Sequence, residues 1–177
     1  MRDCPVPRAS GVYAWYFREV PRLIPIDGCR TAHGATLLYV GISPKRPPSN
    51  GAPPSRQSLR QRVRYHYRGN AAGSTLRLTL GCLLASHIGT VLRRVGSGER
   101  FTFADREAVL SAWMERNALV VWVPTEAPWD LEEELITSVP LPLNLDQNRG
   151  HPFHSTLSEL RRAARREACN QPVWHSA

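Results

Sequence analysis

Apolar residues dominate two runs near the start of the chain, residues 11–17 and 36–42, and both runs predict β-strands. Each run carries a tyrosine two residues from a glycine, Tyr13 in the first and Tyr39 in the second. A glycine near an aromatic residue in a strand often marks close approach of another backbone or a ligand. Paired antiparallel, the two strands can present both phenols at one place on a sheet. Taken alone, either tyrosine is better interpreted as a half-buried packing residue than as a functional one.

The next periodic segment, residues 56–68, predicts a helix. Its inward face is formed by Leu59 and Val63 and continues to either His66 or Tyr67. Residues 43–55, which precede it, hold five prolines and predict a mobile basic loop.

This helix is strongly basic, with five arginines in thirteen residues and no acid. One of them, Arg62, lies one turn from His66 beside the inward stripe. The mutual repulsion of these charges favours contacts with phosphate. The candidate nucleic-acid contacts in the loop and helix are Lys45, Arg46, Arg56, Arg60, Arg64 and Arg68. A solvated basic face is the alternative for each of the four helix residues in that set.

The rest of the chain alternates helical and extended patterns. It predicts a helix over residues 75–88 capped by Ser74, a hairpin from 90–95 and 100–103, a helix over 105–117, a strand over 118–123, and helices over 129–136 and 155–169. The strand over 118–123 is nearly all apolar and is therefore predicted to be buried.

Size and composition indicate one globular domain of 177 residues without internal repeats. No apolar run approaches the roughly 20 residues of a membrane span, and no signal pattern opens the chain, so we expect a cytoplasmic protein without a membrane partner. The four cysteines lack C-x-x-C spacing and are expected to be isolated reduced thiols.

Charge is distributed unevenly within a net charge of +8. No acid lies between Asp27 and Glu99, whereas that interval holds eleven basic residues. From Glu99 to residue 147 the balance reverses, with ten acids and three arginines. This pattern favours a polyanionic partner, nucleic acid, because guanidinium groups suit phosphate. Of the 23 basic residues 22 are arginine, a bias that genomic base composition also produces.

Five short motifs, taken in order, resemble the landmarks of the GIY-YIG nuclease family. They are Gly11-Val12-Tyr13, Tyr39-Val40-Gly41, Leu59-x-x-Arg62-x-x-x-His66, Glu132-x-x-Leu135-Ile136 and Pro142-Leu143-Asn144. The resemblance implies an α/β (α+β) fold with a small three-stranded antiparallel sheet flanked by helices. It also implies hydrolysis of DNA phosphodiester bonds with one divalent metal, Mg²⁺ or Mn²⁺.

The resemblance also implies roles for individual residues. Tyr13 would be the general base, Tyr39 its partner in positioning phosphate or water, and His66 a proton relay. Glu132 would hold the metal and Asn144 would brace the site near it by hydrogen bonds. The chemistry requires the pKa of a phenol to fall from about 10 toward neutral. Arg62, which can contact the scissile phosphate, an imidazolium and a metal ion are the neighbours expected to lower it.

The spacing departs from the minimal family pattern in two places. Tyr13 and Tyr39 are 26 residues apart, and the region 69–103 forms an insertion with a helix and a hairpin. Both expansions resemble those of restriction-type members. The core is expected over about residues 11–144, followed by a basic helix over about 155–169. Its arginines, Arg161, Arg162, Arg165 and Arg166, can extend a DNA path or bind a partner.

Several alternatives stay open at this point. The acids of 132–134 can simply favour a helix start, Asn144 can shape a turn, and His66 can be a structural histidine. A second metal site at His151 and His154 is not favoured. A catalytically inactive binding module, or a protein directed to RNA, would share the same charge pattern.

Overall fold

The computed structural model of the protein describes residues 5–47 and 55–175. Cys4 and the middle of the proline-rich loop predicted over residues 43–55 lie outside these ranges. The predicted fold is confirmed, as an antiparallel sheet is flanked by helices.

Three long strands form the sheet, with β1 (Gly11–Phe17) in the middle. A two-residue strand, β2 (Thr31–Ala32), adds a fourth member at the outer edge of β3 (Ala35–Ser43). The apolar run at residues 118–123 becomes β6 (Ala118–Pro124), which pairs antiparallel with β1. A small separate hairpin consists of β4 (Arg93–Val95) and β5 (Arg100–Thr102).

The buried-strand prediction for residues 118–123 is wrong. Strand β6 is an edge of the main sheet, and the side chains of Val121 and Val123 are 52% and 55% exposed. An apolar run indicates that a segment favours a strand, but the position of that strand in the sheet depends on pairing with strands that are distant in sequence. Within the described residues, β6 pairs with β1 alone.

Helices occupy both faces of the sheet. They are α1 (Leu59–Arg68), α2 (Thr75–Leu83), α3 (Ala85–Ile88), α4 (Glu107–Asn117), α5 (Pro128–Ser138) and α6 (His154–Cys169), with a 3-10 turn at Ala104–Arg106. The predicted helix over 56–68 begins later, because Ser58 forms a capping box with Gln61. The predicted helix over 75–88 is broken at Leu84, whose backbone (φ −94°, ψ 4°) leaves the helical region.

The sheet separates two apolar clusters, as the alternation along β1 requires. Tyr13, Trp15 and Phe17 belong to the larger cluster, which also contains residues of α1, α2, α4 and α6. Val12 belongs to the smaller cluster beneath α5, together with Ile136. The phenol of the first motif therefore points to the face where α1 packs.

A buried ion pair links the region 69–103 to the rest of the protein. The side chain of Arg77 on α2 is fully buried and donates six hydrogen bonds, two of which go to the carboxylate of Glu107. Two more go to the backbone carbonyls of His66 and Tyr67 at the end of α1. Glu107 also accepts hydrogen bonds from the Ala71 and Phe103 backbone and from Thr102. The pair thus orients the helix that carries Arg62 and His66.

The described part of the chain contains no helix with the length and apolar character of a membrane span. Three cysteines lie in the same part, Cys29, Cys82 and Cys169, and none forms a disulfide.

Candidate active site

One cavity of about 640 Å³ collects residues from two strands (β1 and β3), four helices (α1, α2, α5 and α6) and the segment after α5. Five of the six predicted catalytic residues line it: Tyr13, Tyr39, Arg62, Glu132 and Asn144. The sixth, His66, lies directly beneath, in contact with Tyr13. The motifs that are far apart in sequence therefore converge on a single site.

Tyr13 is 1% exposed, and its hydroxyl forms a hydrogen bond of 2.8 Å with Nε2 of His66. Nε of Arg62 donates to the same hydroxyl at 3.4 Å. Tyr13 is paired with Gly41 across the β1–β3 ladder, and the missing side chain leaves space for the phenol. The glycine of the second motif thus accommodates the tyrosine of the first.

The imidazole of His66 is fully buried and connects the cavity to α2. Its Nδ1 lies 2.8 Å from Oγ of Ser74, the residue that caps α2. Burial and the charges of Arg62 and Arg77 hold the pKa of His66 well below its ordinary value. The imidazole is therefore neutral at physiological pH, and the prediction of an imidazolium beside Tyr13 is wrong.

The pKa of the Tyr13 phenol is also shifted, upward rather than downward as predicted. Burial raises the pKa of Tyr13, and Tyr39 raises it further, which outweighs the lowering by Arg62. Burial similarly raises the pKa of Tyr39, a half-buried residue, although Arg62 and Thr75 oppose it. Neither phenol ionises readily on its own.

Arg62 lies at the rim of this pair of phenols. Its Nη1 donates to the backbone carbonyl of Gly73 at 2.9 Å, which fixes the guanidinium against the turn before α2. Nε faces the Tyr13 hydroxyl, and the guanidinium lines the cavity. A planar fork with several donors in this position suits a phosphate group.

Glu132 brings a half-buried carboxyl from α5 to the wall of the cavity. Its pKa is raised to about 7, chiefly by burial; Arg46 and Lys45 oppose the rise, and the charge of Asp146 adds to it. Within residues 5–47 and 55–175 no group of three His, Cys, Asp or Glu side chains is arranged to hold a metal.

The donors at this wall fit a hard divalent cation. Glu132 and Asp146 supply carboxylate oxygens, and Gln147, which lines the same cavity, adds an amide oxygen. Mg²⁺ prefers oxygen ligands and usually keeps several waters, so one or two carboxylates are sufficient. Ionised Glu132 is disfavoured by burial, and a cation would offset that cost.

Asn144 acts on the strand rather than on Glu132. Its side-chain amide accepts from the Val40 N–H at 3.0 Å and donates to the Val40 carbonyl at 2.9 Å. Both bonds are buried and involve the residue between Tyr39 and Gly41. Asn144 therefore holds the tyrosine and glycine of the second motif in register with the cavity.

The family model described as the GIY-YIG catalytic domain matches residues 11–163. The chain belongs to this family. Searches of curated proteins and of solved structures found no match to the chain. A GIY-YIG catalytic domain is a nuclease that acts on nucleic acid, and the family generally depends on a divalent metal.

Of the predicted nucleic-acid contacts, two reach the cavity of this GIY-YIG domain. Lys45 and Arg46 line it, although Arg46 also pairs with Glu133 at 3.2 Å. The other four lie outside it: Arg56, which precedes α1, and Arg60, Arg64 and Arg68 on α1. Arg60 donates to the backbone carbonyl of Val6, and Arg68 pairs with Glu115 at 3.2 Å.

Four further residues belong to the site although the sequence did not place them there; of these, Arg161 and Arg165 were predicted only to extend a DNA path or bind a partner. Ser74 was predicted only as a helix cap, whereas its hydroxyl also contacts His66. Asp146, Arg161 and Arg165 line the cavity from beyond the fourth motif. The run of arginines near the end of the chain was the available signal for the last two, but it could not show which of them face the GIY-YIG site.

The glycine of the second motif gives a first prediction. A Cβ at Gly41 would lie 2.6 Å from the Tyr13 hydroxyl oxygen, and Tyr13 is buried and bonded to His66. We expect Gly41→Ala to reduce the free energy of unfolding by about 1–3 kcal/mol and to impair cleavage. Urea unfolding and a cleavage assay measure both. Gly150→Ala is the control, since a Cβ there meets nothing within 4 Å; equal behaviour of the two variants would contradict the prediction.

The raised pKa of Glu132 gives a second prediction. The folded protein keeps a proton on Glu132 up to about pH 7, whereas the unfolded chain releases it near 4.5, so this contribution to stability is lost as pH rises through that window. Glu132→Gln lacks this titration, so the melting temperature of the variant minus that of the wild type should increase as the pH rises from about 5 to about 8.

Mg²⁺ requires the ionised carboxylate and should therefore raise the melting temperature of the wild type more at about pH 8 than at about pH 5.5. Glu134→Gln, which alters an exposed residue on the same helix, should respond like wild type. The same Mg²⁺ response in Glu132→Gln would exclude Glu132 as the ligand.

Proposed function

We propose that the protein is a metal-dependent endonuclease that hydrolyses DNA phosphodiester bonds with Tyr13 as general base. The observation that carries this proposal is the bond of 2.8 Å between Tyr13 and a neutral, buried His66, in a cavity that also holds Arg62 and Glu132. A base, a phosphate-binding cation and a metal-binding carboxylate are the groups that this hydrolysis needs.

Glu132 would hold Mg²⁺ or Mn²⁺, with Asp146 and Gln147 beside it. The bound ion would neutralise charge on the phosphoryl oxygens and stabilise the leaving 3′-oxygen. The other steps fall to side chains of this chain.

Tyr13 would accept a proton from the attacking water while it passes its own proton to Nε2 of His66. This coupled transfer avoids a free phenolate, which burial disfavours. In the tautomer that permits it, Nδ1–H of His66 donates to Oγ of Ser74 and Nε2 is the acceptor. Because burial, Arg62 and Arg77 disfavour the imidazolium, Nε2 of His66 would return its proton to Tyr13 after the bond is broken, and Tyr13 would release one proton to solvent.

The guanidinium of Arg62 would bind the phosphate that is cut, with the Tyr39 hydroxyl beside it. Asn144 would keep Tyr39 in place through the backbone of Val40. Lys45 and Arg46 would contact the DNA at the rim of the cavity, and the arginines of the outer face of α1 would contact it farther away. The region 69–103 would be an insertion in a single nuclease domain, joined to the core through Arg77.

Cleavage of supercoiled plasmid tests the proposal. The wild type should nick or linearise the plasmid with Mg²⁺ or Mn²⁺, and EDTA should stop the reaction. Matched DNA and RNA duplexes of one sequence, offered in parallel, should show cutting of the DNA. Binding of DNA without cutting under all metal conditions would overturn the proposal in favour of a binding module, and selective cutting of RNA would overturn the choice of substrate.

A further inference from the structure

A second cavity of about 740 Å³ adjoins the catalytic cavity along α6. The two cavities have five lining residues in common: Leu145, Asp146, Gln147, Arg161 and Arg165. The wall of the second cavity is basic, as Arg149 and Arg162 also contribute to it. The catalytic cavity therefore opens into a groove that continues across α6.

The four arginines of α6 fall into two pairs with different surroundings. Arg162 and Arg166 contact the carboxylate of Glu159 at 3.0 and 2.7 Å. Their side chains are 64% and 63% exposed. Arg161 and Arg165 line both cavities, and no carboxylate of the described residues lies within 4.0 Å of either.

The charges of Arg161 and Arg165 lie close enough for Arg165 to act on Arg161. Arg161 is half-buried, and burial together with the charge of Arg165 lowers the pKa of its guanidinium. Arg165 lies against the ring of Phe101, at 5.8 Å from its centroid, which restricts its position. Asp146 shares the groove and its charge opposes the lowering of the Arg161 pKa, but among the described residues it forms no ion pair within 4.0 Å with either arginine. Two adjacent guanidiniums without a carboxylate favour an anion between them.

We propose that Arg161 and Arg165 form a second phosphate site that binds the backbone of the substrate beside the phosphate that is cut. The proposal rests on the proposed function for the identity of the substrate. The occupant is a phosphodiester chain, because the groove is continuous with the cavity that holds Arg62 and because the forked donors of arginine match phosphate oxygens. Arg162 and Arg166, which share the single carboxylate of Glu159, contribute less.

Binding and its salt dependence test the site directly. The experiment uses fluorescence anisotropy of a labelled mixed-sequence DNA duplex, with every variant built on Glu132→Gln so that no cutting occurs. Arg161→Gln/Arg165→Gln should lose at least about tenfold in affinity. The slope of log K against log salt should also become less steep by about 1 to 2, because each lost phosphate contact removes about 0.9.

The control is Arg116→Gln/Arg166→Gln, which removes the same charge from exposed positions outside both cavities. It should stay within about twofold of the parent and keep its slope. Equal losses in the two double variants would overturn the proposal, as they would indicate a general charge effect. The proposal would also be overturned if Arg161→Gln/Arg165→Gln bound DNA like the parent but no longer bound an acidic protein.

Because Arg161 is half-buried, thermal unfolding accompanies the binding measurements. If the double variant is unfolded, the single variant Arg165→Gln provides the test, because the side chain of Arg165 is exposed. Its DNA affinity and salt slope should fall by part of the amounts given above, and Arg166→Gln should match the parent. Unchanged binding in Arg165→Gln would refute the site. If the wild type binds DNA without cutting it and the arginine variants lose affinity, the phosphate site is supported and the nuclease proposal fails. If the wild type cuts DNA and the arginine variants bind normally, the nuclease proposal is supported and the phosphate site fails.

Discussion

Tyr13→Phe should lower the rate of DNA cleavage by about a hundred- to ten-thousandfold, the contribution of a positioned base. The change removes one oxygen and keeps the ring, which packs in the larger cluster. Nε2 of the buried His66 loses its partner in the variant, so the free energy of unfolding should fall by about 1–3 kcal/mol. The fold and DNA affinity should survive.

Tyr16→Phe is the matched control, on the same strand but facing the smaller cluster. Single-turnover cleavage, urea unfolding and DNA anisotropy on both variants separate chemistry from stability and binding. A Tyr13→Phe protein that cuts at the wild-type rate would show that another group removes the proton from water.

Arg77→Leu should cost about 3–5 kcal/mol in the free energy of unfolding, because it leaves the carboxylate of Glu107 without its buried partner. The carbonyls at the end of α1 would lose their donors as well. Since α1 carries Arg62 and His66, cleavage should also fall wherever the variant stays folded.

An exposed ion pair gives the contrast. Arg68 and Glu115 are 3.2 Å apart with side chains 70% and 51% exposed, so Arg68→Leu should cost at most about 1 kcal/mol. Urea unfolding of both variants tests the difference. Adding Glu107→Leu to Arg77→Leu should recover part of the loss, because no unpaired charge then remains. Similar losses in the two single variants would contradict the structural role of the buried pair.

The sequence was sufficient to predict the parts of the site that depend on local pattern. Strand propensity and helical spacing located the two tyrosines and the Arg62–His66 face, and the resemblance linked them to Glu132 and Asn144. The same resemblance anticipated the three long antiparallel strands. The structure adds only a two-residue strand to that sheet.

Features that depend on burial and distant pairing could not be predicted. The apolar run of β6 is an exposed edge strand. The imidazole of His66, expected to be charged, is neutral because it is buried and because the guanidiniums of Arg62 and Arg77 disfavour a further positive charge. The burial of Arg77 depends on its partner Glu107, which lies 30 residues farther along the chain. For β6 and Arg77 the deciding neighbours lie far along the chain, whereas for His66 the deciding factor is burial, which no local pattern reports.

The most direct test of the account compares Glu132→Gln with Glu134→Gln in single-turnover cleavage of DNA with Mg²⁺. Both changes neutralise a carboxylate on α5, but only Glu132 lines the catalytic cavity, whereas Glu134 is exposed. We expect Glu132→Gln to lose cutting and Glu134→Gln to cut like the wild type. Wild-type cutting by Glu132→Gln would contradict the central claim that this cavity performs metal-dependent hydrolysis.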